Sequence, residues 1–380
     1  MSEYQYYEFR AVDRPLSKEE MRALRALSSR AQITPTSFVN TYNWGDFRGN
    51  PDALMKKCFD AFVYVANWGT HRFMMRVPRW ALEGKALSTY CVGDSATVQE
   101  TSDFVVLDFR SEEEEGDWEE GGGYMDSLIP VRAELLDGDL RCLYLGWLLC
   151  AQSEELDDDD MEPPVPPGLA QLSEPLHEFA QYLRIEEDLI EVAAEASVAL
   201  ETAGPSQEAL AAWIAAMPEA NKNALLLEAA TGDNPHFRVE LLRSFKEERQ
   251  PSAGHAEPSR RTVSQLLSAM ESHAAERERR EAERKAAEKA KLEREKAAAR
   301  VKYLETLAGR EKQTWVQVSE LIQSKQPKKY DEAVNLLVDL RDLAVQGRRQ
   351  GEFNLAFEQL RALHTSKPSF LRRLEEAGFK

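Results

Sequence analysis

Hydrophobic and polar positions in the first 150 residues follow two alternating periods. Runs of aromatic and β-branched residues predict strands at residues 4–12, 33–42, 61–66, 72–77, 97–109 and 127–136. Apolar residues at helical spacing predict helices at residues 18–29, 51–59 and 79–90. Strands that alternate with helices are typical of layered folds. We therefore expect an α+β chain whose first domain, residues 1–152, is of α/β type with a mixed sheet.

The pattern changes after residue 152. Residues 153–169 contain four consecutive Asp and four Pro, which predicts an extended or disordered linker that cannot bury apolar area. Apolar positions at helical spacing then predict a small helical bundle over residues 170–249. Proline, glycine and serine at residues 250–258 predict a hinge after the bundle.

Residues 271–302 consist almost wholly of Ala, Glu, Lys and Arg, which are strong helix formers. They have almost no Leu, Ile or Val with which to bury a face, so i to i+4 charge pairs must support the helix. Apolar stripes mark the two ends of a long charged helix that we predict over residues 259–324. We expect both ends to dock and the middle to remain a single exposed helix, because it has no coiled-coil seam.

Residues 328–380 predict a C-terminal helical hairpin followed by a short closing helix. The start of this region, YDEAVNLL, is typical of a tetratricopeptide helix. A single hairpin is fewer than the three repeats that a solenoid needs. We therefore expect one terminal hairpin and no repeat array.

The net charge of −18 is unevenly distributed along the chain. Residues 151–257 carry 6 basic and 23 acidic side chains, whereas residues 258–380 carry 26 and 19. A positive C-terminal region is consistent with a solvated helix. It is also consistent with an anionic partner, either nucleic acid or the acidic middle of the same chain.

Composition argues against several classes of protein. The longest apolar run, residues 143–151, is far shorter than the roughly 20 residues that a membrane span needs, and no export signal precedes it. The four cysteines lie at irregular spacings, which is typical of reduced thiols in a cytoplasmic protein. They are Cys58, Cys91, Cys142 and Cys150. We find no metal-binding, cofactor-binding or catalytic motif, and therefore predict no metal, no cofactor and no membrane association.

An FVxxxNWG pattern occurs twice, at residues 38–45 and 62–69. Each copy predicts a strand that runs into a turn, where Gly supplies left-handed φ at no steric cost. On neighbouring strands the two turns would share one edge of the sheet. They would bring together six residues with stacking faces, charges and one imidazole: Trp44, Asp46, Arg48, Trp68, His71 and Arg72. Such a cluster could hold a peptide, a base or a phosphate. The interpretation that we favour instead buries both tryptophans in the core.

Two helical segments, MPEANKNALLLEAATGDNPHFRVELLRSF at residues 217–245 and the region that starts with YDEAVNLL at residues 330–379, resemble the helical regions of bacterial SWIM zinc-finger proteins. The SWIM metal motif, CxC followed by CxH, is missing, so the resemblance implies neither zinc nor nucleic-acid binding here. The segments YQYYEFRAVDRPL and ITPTSFVNTYNWGDFRG resemble a family of uncharacterised bacterial proteins, which implies no activity.

Three functions fit these patterns. The first is a non-catalytic bacterial interaction or scaffold protein that presents a helical arm to a protein partner. The second is a nucleic-acid-associated subunit of a multi-protein bacterial system that binds phosphates through residues 258–380. The third is an enzyme with a site near the paired NWG turns.

Overall fold

A computed structural model of the chain describes residues 4–82, 84–113, 121–200, 206–232, 234–249 and 260–379. Contacts group the chain into an N-terminal unit, Met1–Glu276, and a C-terminal unit, Arg277–Lys380. The hinge expected at residues 250–258 lies outside the described residues. None of the helices in the described part of the chain has the length and apolar character that a bilayer crossing requires.

The N-terminal unit is built on a seven-stranded sheet. Its strands are β1 (Gln5–Arg10), β2 (Gln32–Thr34), β3 (Ser37–Tyr42), β4 (Ala61–Ala66), β5 (His71–Pro78), β6 (Ala96–Glu100) and β7 (Phe104–Ser111). They lie in the order β2-β3-β1-β4-β5-β7-β6, and every pairing between them is antiparallel. The α+β class is confirmed. The expectation of a mixed sheet is wrong, because all of these strands pair in antiparallel fashion.

Helices pack on both faces of this sheet. The helices between and after the strands are α1 (Lys18–Leu27), α2 (Pro51–Lys57), α3 (Gly84–Tyr90), α4 (Tyr124–Leu136), α5 (Arg141–Gln152), α6 (Glu174–Tyr182), α7 (Glu187–Ala194), α8 (Gln207–Ala216), α9 (Glu219–Thr231) and α10 (Phe237–Arg249). Successive strand residues point to opposite faces, so Phe73 of β5 enters the larger core, which includes α4 to α7, and Met74 enters the smaller core with α1 and α2. Covered faces explain why the strands are apolar at consecutive positions.

The prediction of a strand at residues 127–136 is wrong, because these residues belong to α4. The buried side chains Met125, Leu128, Val131 and Leu135 recur at three- and four-residue steps, which is the spacing of a helix face. The helices α6 and α7 add buried residues to the same larger core. The region predicted as a separate bundle therefore shares part of its core with the sheet.

The acidic, proline-rich segment 153–169 packs against the larger core. Val165 is partly buried against it, and Glu162 is 2% exposed. The Glu162 carboxylate accepts hydrogen bonds from the Tyr144 hydroxyl and from the Arg261 guanidinium, the latter at 2.7 and 2.9 Å. These partners satisfy a buried charge that would otherwise be very costly. The expectation that this segment buries no apolar area is wrong.

The long helix α11 spans Val263–Ala308. Val263 and Leu266 at its start are buried in the larger core. From residue 275 to residue 299 every side chain except that of Glu281 is exposed, as the sequence predicted for the middle of this helix. The helix ends before Gly309, and α12 (Glu311–Gln323) follows, so the continuous helix expected over residues 259–324 is interrupted.

The C-terminal unit has its own core. After α12 come α13 (Pro327–Gln346), α14 (Gln350–Leu363) and α15 (Pro368–Glu376). Buried apolar side chains from all four helices form this core, among them Val318, Ile322, Leu337, Leu340, Phe357 and Phe370. The predicted C-terminal hairpin is confirmed as α13 and α14, with α15 as the closing helix.

Candidate recognition surface at one edge of the sheet

The two FVxxxNWG copies lie on β3 and β4, which flank β1 on either side. Tyr42, the last residue of β3, and Ala66, the last residue of β4, are both paired with Gln5 of β1. Both strands are antiparallel to β1 and therefore run parallel to each other. The two NWG turns thus follow at the same edge of the sheet, although β3 and β4 are separated by β1 and are not the neighbouring strands that the sequence analysis supposed. We call this surface, residues 43–45 and 67–69, the NWG edge.

The repeat is structural as well as sequential. Phe38 and Phe62, which open the two copies, both face Phe9 of β1, with ring centroids 5.7 and 4.3 Å from it. The glycines that close the copies, Gly45 and Gly69, have φ of +76° and +91°. Both values lie in the left-handed region that favours glycine. The two copies therefore share the position of their strand and the left-handed glycine, but among the described residues only the second turn is closed by a backbone hydrogen bond, from the Gly69 N–H to the Ala66 carbonyl.

Both tryptophans of the NWG edge are exposed. The exposed fraction is 76% for Trp44 and 47% for Trp68, so the expectation that they fill the core is wrong. Each indole follows the last paired residue of its strand, where the strand alternation no longer directs side chains into a core. Large exposed aromatic side chains that lie near one another are typical of recognition surfaces.

A depression of about 240 Å³ adjoins the second turn on the face that α1 and α2 cover. Tyr7, Tyr64, Trp68, Arg72 and Arg110 are among the residues that line it. The Tyr7 and Tyr64 rings lie 4.7 Å apart between centroids. Flat aromatic faces beside cationic side chains can hold planar or ring-shaped groups.

A buried amide connects the first turn with this depression. The Tyr7 and Tyr64 hydroxyls both donate to Oε1 of Gln5, at 2.7 and 3.0 Å. The Gln5 Nε2 group donates to the Asp46 carboxylate at 2.9 Å and to the Gly45 carbonyl at 3.3 Å. Burial raises the pKa of Tyr64 to about 12, and burial together with Tyr64 raises the pKa of Tyr7 well above its usual range. Both phenols therefore stay protonated donors near neutral pH.

Arg72 is held by carboxylates. Its guanidinium donates to Asp108 at 2.8 and 2.6 Å and to Asp52 at 2.9 Å. Burial opposes the charge, but the hydrogen bonds to Asp108 and the attraction of both carboxylates outweigh it and raise the pKa of Arg72. A phosphate would have to compete with two carboxylates for this cation. Arg72 therefore lines the depression as part of an ion-pair network and is a poor anion receptor.

His71 lies on the other face of the sheet. Consecutive residues of a strand point to opposite faces, so His71 and Arg72 cannot share one site. The His71 ring is 2% exposed, stacks on Tyr182 at 4.8 Å, and donates from Nδ1 to the Tyr182 carbonyl at 2.6 Å. The predicted cluster is thus divided, and its imidazole belongs to the larger core side of the sheet.

The structure places the other predicted residues near the edge. Trp68 and Arg72 line the depression together, and Asp46 is joined to it through Gln5. Trp44 and Arg48 are exposed at the first turn. Sequence reasoning missed a set of residues that share this face: Gln5, Tyr7, Tyr64 and Arg110. The signal that could have found them is the two-residue alternation along β1, β4 and β7.

One further cluster combines metal-ligating residue types within the described residues. Asp188 and Glu191 of α7 lie near His273 of α11, with ligand atoms within 4.8 Å of one another. His273 Nδ1 lies 2.9 Å from Asp188, and its Nε2 lies 3.4 Å from Glu191. A metal would need one ring nitrogen and both carboxylates on the same side. The imidazole instead bridges two carboxylates and fastens the start of α11 to α7.

Comparison of the chain with protein-family models, with curated proteins and with solved structures finds no match. The resemblance to SWIM helical regions therefore stays a prediction. The geometry and chemistry of the NWG edge are the basis on which a function can be assigned.

Proposed function

We propose that this chain is a non-catalytic interaction protein that recognises a protein partner through the NWG edge. The observation that supports this most directly is the exposure of Trp44 and Trp68 at equivalent positions of two repeated turns. Tryptophan is the residue type most enriched in the few positions that dominate binding energy at protein interfaces. Two such side chains on one edge provide the anchors that a partner needs.

The surroundings of the edge favour binding over catalysis. The imidazole expected there, His71, is buried on the opposite face. Asp52 and Asp108 are hydrogen-bonded to Arg72, which lines the depression. A general acid or base must lie within hydrogen-bond reach of a bound substrate and be free to exchange its proton. The enzyme alternative therefore loses the imidazole that the sequence analysis placed at this edge.

The helix α11 supports the same function. A stretch from residue 275 to residue 299 with nearly every side chain exposed is typical of a spacer. Pairs such as Arg279 with Glu283 and Lys285 with Glu281 stabilise such a helix without a packing partner. In this proposal α11 is the helical arm of a scaffold, and α12 to α15 are the helices that it presents.

Affinity capture with the full-length chain in its native host tests the proposal. We expect one partner to be enriched on the wild-type chain and lost from the Trp44→Ala/Trp68→Ala variant, with the melting temperature nearly unchanged. The control is Leu363→Ala, which truncates another highly exposed apolar side chain, 77% exposed on α14, and should keep the partner. Equal capture by all three chains would contradict the proposal.

A second candidate function is nucleic-acid binding through residues 258–380. Arg277–Lys380 carries 24 basic and 17 acidic side chains, a net charge of +7, whereas Met1–Glu276 carries 24 and 49, a net charge of −25. Several of the cations are paired, such as Arg300 with Asp339 and Asp342. If the full-length chain binds DNA or RNA through phosphates, affinity must fall steeply with log salt and depend little on sequence. The absence of a mobility shift at low salt would exclude this candidate.

A cytoplasmic location completes the proposal. Cys58, Cys91, Cys142 and Cys150 are free thiols. Burial raises the pKa of Cys58 to about 11 and the pKa values of Cys91 and Cys150 to about 12. Thiols with such values are poor nucleophiles, as is typical of reduced cysteines in a protein core. Four unpaired cysteines fit a reducing compartment.

A further inference from the structure

The spacing of the two NWG turns matches the repeat of one peptide conformation. Adjacent strands lie about 4.8 Å apart, so the ends of β3 and β4, which flank β1, are separated by about 9.5 Å. A polyproline II helix rises about 3.1 Å per residue with three residues per turn, so its residues i and i+3 lie about 9.3 Å apart on one face. One face of such a peptide can therefore meet both turns in register.

The chemistry of the edge fits prolines. Exposed indoles present flat apolar faces for pyrrolidine rings, and each also carries an N–H donor. A polyproline II peptide has no internal hydrogen bonds, so its carbonyls are open to such donors. Its conformation is largely formed before binding, which lowers the entropic cost of docking on an aromatic-lined surface.

The net charge of the N-terminal unit favours a basic peptide. Asp46 and Arg48 both follow the first turn and are exposed. Glu113 abuts the second turn, where its N–H donates to the Gly69 carbonyl, and its carboxylate, 52% exposed, is ion-paired with Arg184 at 3.0 Å. The cations of the depression, Arg72 and Arg110, are paired with carboxylates. Since Met1–Glu276 has a net charge of −25, Lys or Arg beside the prolines would be attracted to this surface.

Nucleic acid is the other ligand for which exposed aromatic side chains are suited, because bases stack on them. Its phosphates would approach Asp46 and the strongly acidic unit as a whole. Such a backbone needs a positively charged groove, whereas the N-terminal unit carries a net charge of −25.

We propose that the NWG edge binds a proline-rich peptide segment in the polyproline II conformation, with Arg or Lys beside the prolines. This proposal rests on the proposed function and names the class of partner. Trp44 and Trp68 receive proline rings one turn of the peptide apart. Asp46 and the net negative charge of the N-terminal unit attract the flanking basic residues.

Fluorescence anisotropy with the full-length chain tests the proposal. The probes are labelled decaproline flanked by two Arg, the same decaproline flanked by two Glu, and a thymidine decanucleotide. We expect the Arg-flanked probe to bind most tightly, and Trp44→Ala and Trp68→Ala each to weaken it by about tenfold or more, as interface anchors do. Leu363→Ala should leave its affinity unchanged. Asp46→Asn, which keeps an acceptor for Gln5, should reduce the preference for Arg over Glu.

Three results would overturn the proposal. The first is that no decaproline probe binds. The second is that the wild-type chain and a Trp44→Ala/Trp68→Ala variant of unchanged melting temperature bind the probe equally. The third is that the decanucleotide binds more tightly at the same edge. The proposed function can fail separately. If the tryptophans are needed for partner capture while decaproline does not bind, the interaction function stands and the peptide class is wrong. If neither depends on them, both fail.

Discussion

On the face of the sheet that α1 and α2 cover, polar side chains find different hydrogen-bond partners at the two ends of the strands. At the end opposite the NWG edge, which we call the closed end, Asp60 is fully buried and accepts hydrogen bonds from Arg76 at 2.6 and 3.1 Å and from the Val12 and Asp13 N–H groups. At the NWG edge the polar groups meet through Gln5, and Trp68 stays half exposed. The closed end contributes to stability, whereas the NWG edge leaves apolar side chains exposed.

Removal of the buried Asp60 carboxylate should have the largest effect on the stability of the fold. Asp60→Ala leaves Arg76 as an uncompensated buried charge, so we expect a loss of about 3 to 5 kcal/mol in the free energy of unfolding. The matched change at the NWG edge, Asp46→Ala, should cost about 1 kcal/mol or less, because Gln5 still reaches the Gly45 carbonyl. Urea unfolding measures both values. Similar losses for the two variants would erase the difference between the ends.

The two glycines of the repeat provide the next comparison. A Cβ at Gly69 would lie 2.1 Å from the Glu113 carbonyl oxygen, whereas a Cβ at Gly45 would meet nothing within 4 Å. Gly45→Ala should therefore cost about 1 kcal/mol for the left-handed backbone alone. Gly69→Ala should cost at least about twice as much, because the backbone must also move. Equal losses in urea unfolding would show that the second turn is as free as the first.

The repeated pattern predicted two strands that each end in an Asn-Trp-Gly turn, because strand and turn signals are local. Burial of Trp44 and Trp68 could not be predicted in this way, since it depends on what covers the ends of β3 and β4. Grouping His71 with Arg72 was an avoidable error, because the two-residue alternation of a strand separates them. The order in which β1 lies between β3 and β4 comes from long-range pairing, which no local pattern contains.

Loss of the N-terminal cap of α1 should have a smaller effect on the free energy of unfolding. Ser17 Oγ accepts from the Glu20 N–H at 3.1 Å, and the Glu20 carboxylate accepts from the Ser17 N–H at 2.7 Å. Ser17→Ala should cost about 1 kcal/mol. Hydrogen bonds from Arg14 and then Ser17 lower the pKa of Glu20 from 4.5 to about 2.

A lowered carboxyl pKa stabilises the fold above the unfolded value and loses that contribution as pH falls. The stability difference between the wild-type chain and Glu20→Gln should therefore be full above pH 4.5 and shrink as pH falls toward about 2. Unfolding measured across this interval checks the sign. A difference that grows on acidification would contradict the capping geometry.

Truncation of the most exposed indole should have the smallest effect on stability. Trp44→Ala should change the free energy of unfolding by about 0.5 kcal/mol or less, as exposed side chains do. Trp147, which is 2% exposed in the larger core, is the matched control, and Trp147→Ala should cost about 3 to 5 kcal/mol. A Trp44→Ala loss near the control value would place that indole in a core.

Site-specific photo-crosslinking tests the central claim most directly. A photoreactive amino acid is placed at position 44, 68 or 363 of the full-length chain in its native host, and the crosslinked products are identified by mass spectrometry. We predict that positions 44 and 68 crosslink to the same protein and that position 363 does not. Products of equal yield from all three positions, or none from positions 44 and 68, would contradict recognition at the NWG edge.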